Sequence, residues 1–99
     1  MKNIDQGAKE LESTIQARLI ARYTAQGWLV VRLIQTNLNG CPDLLLLRDG
    51  VARFVEVKRP GCKPRPLQQY RAEQLRAAGF SVDVVSSSTP QEPQEPGGK

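Results

Sequence analysis

Apolar residues recur every three to four positions near the start of the chain, and this spacing predicts an amphipathic helix over about residues 7–26. At about 100° per residue, one face of this helix is apolar. That face consists of Leu11, Ile15, Leu19 and Tyr23. Gly27 follows where such a helix would end, since glycine readily adopts the backbone conformation that terminates helices.

Three short apolar segments come next and predict β-strands at residues 28–34, 43–47 and 51–58. The second, DLLLL, is apolar almost throughout, which is typical of a strand covered on both faces. Asp49-Gly50 separates the second and third strands and predicts a tight hairpin turn. The loop QTNLNG between the first two strands contains the polar and glycine residues of irregular structure.

The segment RPGCKPRP then predicts a basic loop, and Pro66 at its end suits the first turn of a second helix. An apolar face for this helix is predicted to include Leu67, Tyr70, Gln74, Leu75 and Ala78. Gly79 is placed to end the helix, and the alternating segment 80–86 predicts a last strand. A strand reached through a helix usually runs parallel to the strand before it, so 51–58 and 80–86 should form a parallel pair.

This order predicts an α/β domain with a four-stranded mixed sheet flanked by two helices, in the order αβββαβ. We expect residues 1–86 to form this domain. Residues 87–99 contain proline, glycine and polar residues but no aliphatic or aromatic residue, and predict a disordered tail.

Composition narrows the classes of function. The chain of 99 residues has no histidine and two cysteines, Cys41 and Cys62, which argues against a structural zinc site and rules out Ser–His–Asp or Cys–His catalysis. The N-terminus has no apolar signal segment, so we expect a cytoplasmic protein with reduced thiols. The net charge of +4 permits a polyanionic partner. Basic residues are dense between residues 58 and 76.

Three ionisable residues interrupt the predicted hairpin: Asp43, Glu56 and Lys58. Glu56 and Lys58 share one face of their strand, and pairing about the turn should place Asp43 roughly opposite Val57, with its carboxylate near Glu56. Adjacent carboxylates repel unless a proton or cation lies between them, and oxygen ligands favour a hard ion such as Mg²⁺. With a lysine beside it, such an ion suits phosphodiester hydrolysis. The plainer alternative is a solvated sheet edge.

Two further polar residues extend this candidate site. Glu12 falls within the apolar face of the first helix, where a carboxylate needs a partner or a cleft, although a glutamate there also stabilises the helix dipole. Gln68, in the first turn of the second helix, could reach the same side of the sheet, and Gln69 or Gln74 could substitute for it. The basic loop could contact phosphate or be only a solvated connection.

These residues resemble the pattern of the PD-(D/E)xK nuclease superfamily, in which Pro-Asp is followed by Glu-x-Lys on the next strand. The chain is most similar to the VRR-NUC branch over about residues 8–86, in ESTIQARLIARYTAQGWLVVRL, GCPDLLLL, FVEVKRPG and RPLQQYRAEQLRAAGFSVDVV. The resemblance implies a small restriction-endonuclease-like core of the stand-alone kind found in phages. The chain departs from the family pattern at Arg65, which precedes Pro66 at a position where serine is common in the family.

When the roles known for the family are assigned residue by residue, the resemblance implies that the metal is held by Asp43, Glu56, the Val57 carbonyl and Glu12. Lys58 then corresponds to the catalytic lysine. Gln68 matches a glutamine that orients the lysine or a phosphate. The adjacent basic residues are then candidate DNA contacts; they are Arg59, Lys63 and Arg65.

The expected function is that of a Mg²⁺-dependent DNA endonuclease, with Mn²⁺ able to substitute, encoded by a bacterium or phage. Branched DNA such as a four-way junction is the substrate that the resemblance favours. Cutting both strands of a junction needs two active sites, so we expect a homodimer. Two alternatives stay open: a non-catalytic DNA-binding module, and a nuclease subunit recruited to a helicase-like partner, with the C-terminal tail as tether.

Overall fold

The computed structural model describes residues 11–86 and confirms the predicted αβββαβ order. The elements are α1 (Glu12–Ala25), β1 (Leu29–Arg32), β2 (Leu44–Arg48), β3 (Val51–Val57), α2 (Pro66–Ala77) and β4 (Ser81–Val85). The predicted beginning of the first helix at residue 7 and the predicted tail lie outside the described residues. Neither helix within 11–86 is long and apolar enough to cross a membrane.

The four strands form one mixed sheet in the order β1-β2-β3-β4. β1, β2 and β3 are antiparallel neighbours, and β3 and β4 are parallel, as predicted. The hairpin turn at Asp49-Gly50 has positive φ at both residues, 51° and 78°, which matches the right-handed twist of the strands it joins.

The predicted register of the β2–β3 hairpin was wrong by one residue. Leu44 pairs with Val55, so continuing the ladder by one position places Asp43 opposite Glu56 and not opposite Val57. The reason is the two-residue turn, which pairs Arg48 directly with Val51. Asp43 is therefore brought closer to Glu56 than the sequence indicated.

Helix α1 packs on one face of the sheet and forms the hydrophobic core with it. Its buried side chains are Ile15, Leu19 and Tyr23, which confirms the predicted face apart from Leu11, since Leu11 precedes the helix and is 61% exposed. The sheet supplies alternate residues of β2 and β3 to this core, namely Leu44, Leu46, Val55 and Val57. Burying each of these large aliphatic side chains stabilises the fold by about 1.5–3 kcal/mol.

Helix α2 covers the opposite face only in part, near β4, and its predicted apolar face was wrong. Leu67 and Tyr70 are 45% and 56% exposed, and Ala72 is the buried residue of the helix. The helix is rotated so that a small side chain and several polar ones face the sheet. An open space remains between the helix and the sheet as a result.

A charged residue lies on the α1 side of the sheet, on the same face of β3 as the core residues Val55 and Val57. Arg53 pairs with Leu46 across the β2–β3 ladder and its side chain is fully buried. Its guanidinium lies 3.8 Å from the carboxylate of Asp83 on β4. This ion pair links the sheet centre to its parallel edge strand.

Gly40 lies against the start of α2, and its substitution tests how closely loop and helix approach. Gly40 has φ of +84°, and an added Cβ would lie 2.9 Å from the Leu67 carbonyl oxygen. Gly61 has φ of +83° but open space around it. Both alanine variants should lose about 1–2 kcal/mol of stability to backbone strain. Gly40→Ala should lose roughly 1–3 kcal/mol more from the steric clash.

Urea unfolding followed by circular dichroism measures both free energies. Gly61→Ala is the matched control, because its φ is nearly the same. Equal losses of unfolding free energy in the two variants would contradict the close approach of the loop containing Gly40 to α2.

Candidate active site

The candidate site lies where β2 begins and β3 ends. Asp43 immediately precedes β2, Glu56 is the penultimate residue of β3, and Lys58 follows that strand. The hairpin register brings Asp43 and Glu56 together from residues thirteen positions apart in sequence. The structure thus assembles the three residues that the sequence singled out.

Asp43 is fixed to β3 by two hydrogen bonds. Its carboxylate Oδ2 accepts a hydrogen bond from the Val57 amide at 2.7 Å, and its own amide donates to the Val55 carbonyl at 3.1 Å. Burial raises the pKa of the Asp43 carboxyl above its ordinary value, while the bond from Val57 lowers it. The negative charge of Glu12 adds to the rise. One carboxylate oxygen is thereby oriented by the main chain of the neighbouring strand.

Glu56 is the most strongly perturbed acid of the site. Its residue exposure is only 4%, and its Oε2 accepts a hydrogen bond of 2.7 Å from the Gln68 amide. Burial, followed by the nearby charge of Asp43, raises its pKa to about 7, although Lys58 partly counteracts the rise. A buried carboxyl group beside a second carboxylate is stabilised either by binding a proton or by a neighbouring cation.

Lys58 lies between two carboxylates. Its Nζ is 3.5 Å from Glu56 Oε2 and 4.0 Å from Glu12 Oε2, and the residue is 6% exposed. Its main-chain amide donates to the Val85 carbonyl at 3.0 Å, which fixes the end of β3 against β4. The solvated-edge alternative for Glu56 and Lys58 is therefore wrong, because both side chains are buried.

Glu12 enters the site from the first turn of α1. Its side chain is 42% exposed and faces Lys58. A carboxylate in this position also stabilises the positive end of the helix dipole, so both interpretations of Glu12 are compatible with its location.

Gln68 connects the start of α2 to the site. Its Nε2 donates to Glu56, while its Oε1 accepts a hydrogen bond from the Arg65 amide at 2.8 Å. The two alternative glutamines bond elsewhere: Gln69 donates to the Pro64 carbonyl and Gln74 to the Tyr70 hydroxyl. Because an arginine side chain cannot accept a hydrogen bond, Arg65 contributes only its main chain to this cap. The unusual residue before Pro66 thus leaves the contact intact.

The three candidate DNA contacts lie in the loop that leaves β3. Lys63 and Arg65 are exposed, whereas Arg59 is half-buried and its carbonyl accepts a hydrogen bond from Cys62 in a tight turn. The loop begins directly after Lys58, and its other end is joined to the site through the Arg65 amide, which donates to Gln68.

The donor chemistry of the site fits a hard divalent cation. Asp43 and Glu56 place carboxylate oxygens side by side, and the pKa of Glu56 is raised first by burial and then by the charge of Asp43, which a cation would offset. Within residues 11–86 no group of three or more histidine, cysteine, aspartate or glutamate side chains is placed to hold a metal ion. Water would complete the ligand set, as is usual for Mg²⁺, with Glu12 acting through such a water.

Two residues beside Glu56 were missed by the sequence analysis. Glu73 and Arg76 line a cavity together with Glu56 and Gln68. Arg76 follows Gln68 at two successive steps of four residues, through Ala72, and Glu73 follows Gln69 by four, so these residues form neighbouring rows along α2. This spacing could have indicated them, but the apolar face predicted for the helix lay elsewhere.

The comparisons with known proteins agree on one family. A sequence profile of the VRR-NUC domain matches residues 2–89. "Putative nuclease p44" of Acyrthosiphon pisum secondary endosymbiont phage 1 is 34% identical over 77 residues, which cover 77% of this chain and 83% of that protein. A solved VRR-NUC domain structure superimposes with a TM-score of 0.71 at 40% identity, covering 78% of this chain and 85% of the other.

The raised pKa of Glu56 predicts a loss of stability with rising pH in the metal-free protein. The folded state binds the Glu56 proton more tightly than the unfolded chain, so the free energy of unfolding should fall between about pH 4.5 and pH 7. At 1.36 kcal/mol per pKa unit, the loss from this group is about 3 kcal/mol. Glu56→Gln should remove this contribution and be the more stable protein at pH 8.

Urea unfolding in EDTA at several pH values provides the measurement. Asp43 and Asp83 have raised pKa values as well, so the informative quantity is the difference between wild type and Glu56→Gln. Glu73→Gln, at a side chain 75% exposed, is the control and should follow the wild type. An identical pH profile for Glu56→Gln and wild type would show that Glu56 titrates normally.

Proposed function

The chain belongs to the VRR-NUC family of nuclease domains, and on this premise we propose that it is a Mg²⁺-dependent DNA endonuclease that hydrolyses phosphodiester bonds. The observation that carries the proposal is the pair of adjacent carboxylates, Asp43 and Glu56, with the buried Lys58 ammonium 3.5 Å from Glu56. A protein that only bound DNA would gain nothing from holding two carboxylates where phosphates approach, because each repels them.

In this proposal the metal is held by Asp43, Glu56 and the Val57 carbonyl, with Glu12 contributing through water. When bound, the ion supplies Lewis-acid polarisation of a phosphoryl oxygen and lowers the pKa of its water. Mn²⁺ has similar oxygen-ligand preferences and should substitute for it.

The remaining roles belong to the residues around these ligands. Lys58 is the catalytic residue whose ammonium stabilises the negative charge that develops on the phosphate. Its two carboxylate neighbours, Glu56 at 3.5 Å and Glu12 at 4.0 Å, restrict the position of its ammonium group. Gln68 is a positioning residue, since its hydrogen bond fixes one Glu56 oxygen. Arg59, Lys63 and Arg65 would contact backbone phosphates next to the scissile one.

Branched DNA, such as a four-way junction, is the proposed substrate. The support is the family resemblance together with the small size of the domain, which offers little surface for a long straight duplex. Resolution of a junction requires two cuts, and we therefore propose that the working unit is a homodimer with two active sites. Recruitment to a helicase-like partner is an alternative arrangement of the same nuclease.

Loss of the Lys58 ammonium should abolish cleavage. We expect the wild type to cut a labelled four-way junction faster than a matched linear duplex with Mg²⁺ or Mn²⁺, and to cut neither in EDTA. Lys58→Ala should lower the cleavage rate at least about 10²-fold, the typical effect of removing a group that stabilises transition-state charge. Gel analysis of single-turnover reactions measures both rates.

Arg22→Ala is the control, because it removes the same charge from an exposed position of α1. Lys58→Met, which keeps much of the side-chain volume, guards against a loss caused by misfolding, and circular dichroism checks both. Salt-sensitive binding of both DNAs by a wild type that cuts neither would leave the DNA-binding module as the function.

Phosphate contacts by the basic loop should appear in the salt dependence of DNA binding. Replacing Lys63 and Arg65 together by alanine should reduce the slope of log K against log salt by about 2, near one unit per lost phosphate contact. The control replaces two exposed arginines of α1, Arg18 and Arg22, and should change the slope less. Fluorescence anisotropy with a labelled junction measures the slopes. Equal changes would mean that net charge matters and the loop position does not.

The proposed oligomeric state has a direct test. Light scattering after size exclusion should give twice the mass of the 11.0 kDa chain at micromolar concentration. A monomer that cuts both junction strands in one binding event would contradict the homodimer.

A further inference from the structure

A cavity of about 260 Å³ lies between α2 and the sheet, directly beside the candidate site. Glu56 is part of its wall and is also a proposed metal ligand. Gln68, which bonds Glu56, forms another part. The cavity therefore shares a side chain with the proposed metal site, so an occupant would lie next to a phosphate held there.

The walls of the cavity differ from an ordinary helix–sheet interface. The sheet side is apolar, with Val82 and Val84 of β4 beside Pro42. The helix side contributes polar groups, including Glu73 and Arg76, at positions where a packed helix would carry large apolar residues. Apolar walls with a few convergent polar groups are typical of sites for small organic ligands.

The charges of the cavity favour a neutral ligand over a phosphate. With Glu56 assigned to the proposed cation, the charged lining residues that remain are Glu73 and Arg76, which lie 3.5 Å apart, and the Arg76 guanidinium also donates to the Val82 carbonyl at 2.7 Å. These two charges offset each other, so a phosphate would gain little here. A nucleobase has apolar faces for the valines and proline, and exocyclic amino groups that donate to carboxylates.

We propose that this cavity receives one unstacked nucleobase of the DNA substrate, from a nucleotide adjoining the phosphate held at Asp43 and Glu56. The inference rests on the proposed function and gives it a physical basis for substrate choice. Extruding a base from an intact duplex costs stacking and pairing energy, and the cost is least where the base is already unpaired. Branch points, flaps and mismatches would then be cut in preference to continuous duplex.

Fluorescence of 2-aminopurine reports the state of the base directly. The analogue is placed in turn at each position next to the branch of a junction and bound to the Lys58→Ala protein. Among residues 11–86, those that line the cavity include no aromatic side chain, so none of them should quench an inserted base by stacking. We expect a several-fold rise in fluorescence at one position. Adding Val84→Phe, which narrows the cavity, should abolish the rise.

Val31→Phe is the matched control. Val31 lies on the same face of the sheet, is similarly exposed at 36% against 46% for Val84, and is not part of the cavity. Phenylalanine suits strands at both positions, and circular dichroism confirms that each variant folds. Val31→Phe should retain the fluorescence rise. An equal rise with and without Val84→Phe would overturn the inference.

Cleavage separates failure of this inference from failure of the proposed function. In the otherwise wild-type protein, Val84→Phe should lower kcat/KM about tenfold or more on a junction, the scale of a lost base contact. This loss of kcat/KM should be smaller on a junction that has an abasic nucleotide at the position where 2-aminopurine fluorescence rises, because no base is then available for the cavity. Full activity of Val84→Phe would contradict the proposed base-binding cavity but would be compatible with the proposed nuclease function. No cleavage by the wild type, with the fluorescence rise intact, would refute the nuclease alone.

Discussion

The desolvation and mutual repulsion of Asp43 and Glu56 set the constraint around which the site is built. Burial of both carboxylates raises their pKa values, and the surrounding fold offsets the cost with donors that come from different elements. The Val57 amide comes from β3 and the Gln68 side chain from α2. Lys58, just after β3, adds a positive charge and is held by a main-chain bond to β4. The sheet and the second helix therefore both contribute partners to these carboxylates.

The parts of the fold that depend on local pattern were predictable from the sequence. Alternation along β3 indicated that Glu56 and Lys58 share a side, and Asp49-Gly50 indicated the hairpin. The register was misjudged by one residue, although a two-residue turn at Asp49-Gly50 pairs residue 48 with 51 and therefore residue 43 with 56. The roles assigned to the site residues are still predictions; what the structure adds is their proximity.

Other features could not be predicted because tertiary packing decides them. The apolar residues Leu67 and Tyr70 suggested one face for α2, but docking beside β4 turned a polar face inward. Arg53 is a charged residue at a core position, and its approach to Asp83 across the sheet is one contact that offsets the cost of its burial. Replacing either partner alone would leave a buried charge uncompensated, which is costly.

The double role of Gln68 ties the site to the local stability of its helix. One amide caps the first turn of α2 and also fixes Glu56, while the helix itself buries little besides Ala72. With so few packed side chains, α2 should open locally at a lower free energy than the whole domain unfolds. Each such opening releases Glu56 from its orienting bond, so the organised site exists only as often as α2 is closed. Occupancy of the site would in turn slow hydrogen exchange along α2, because it favours the closed helix.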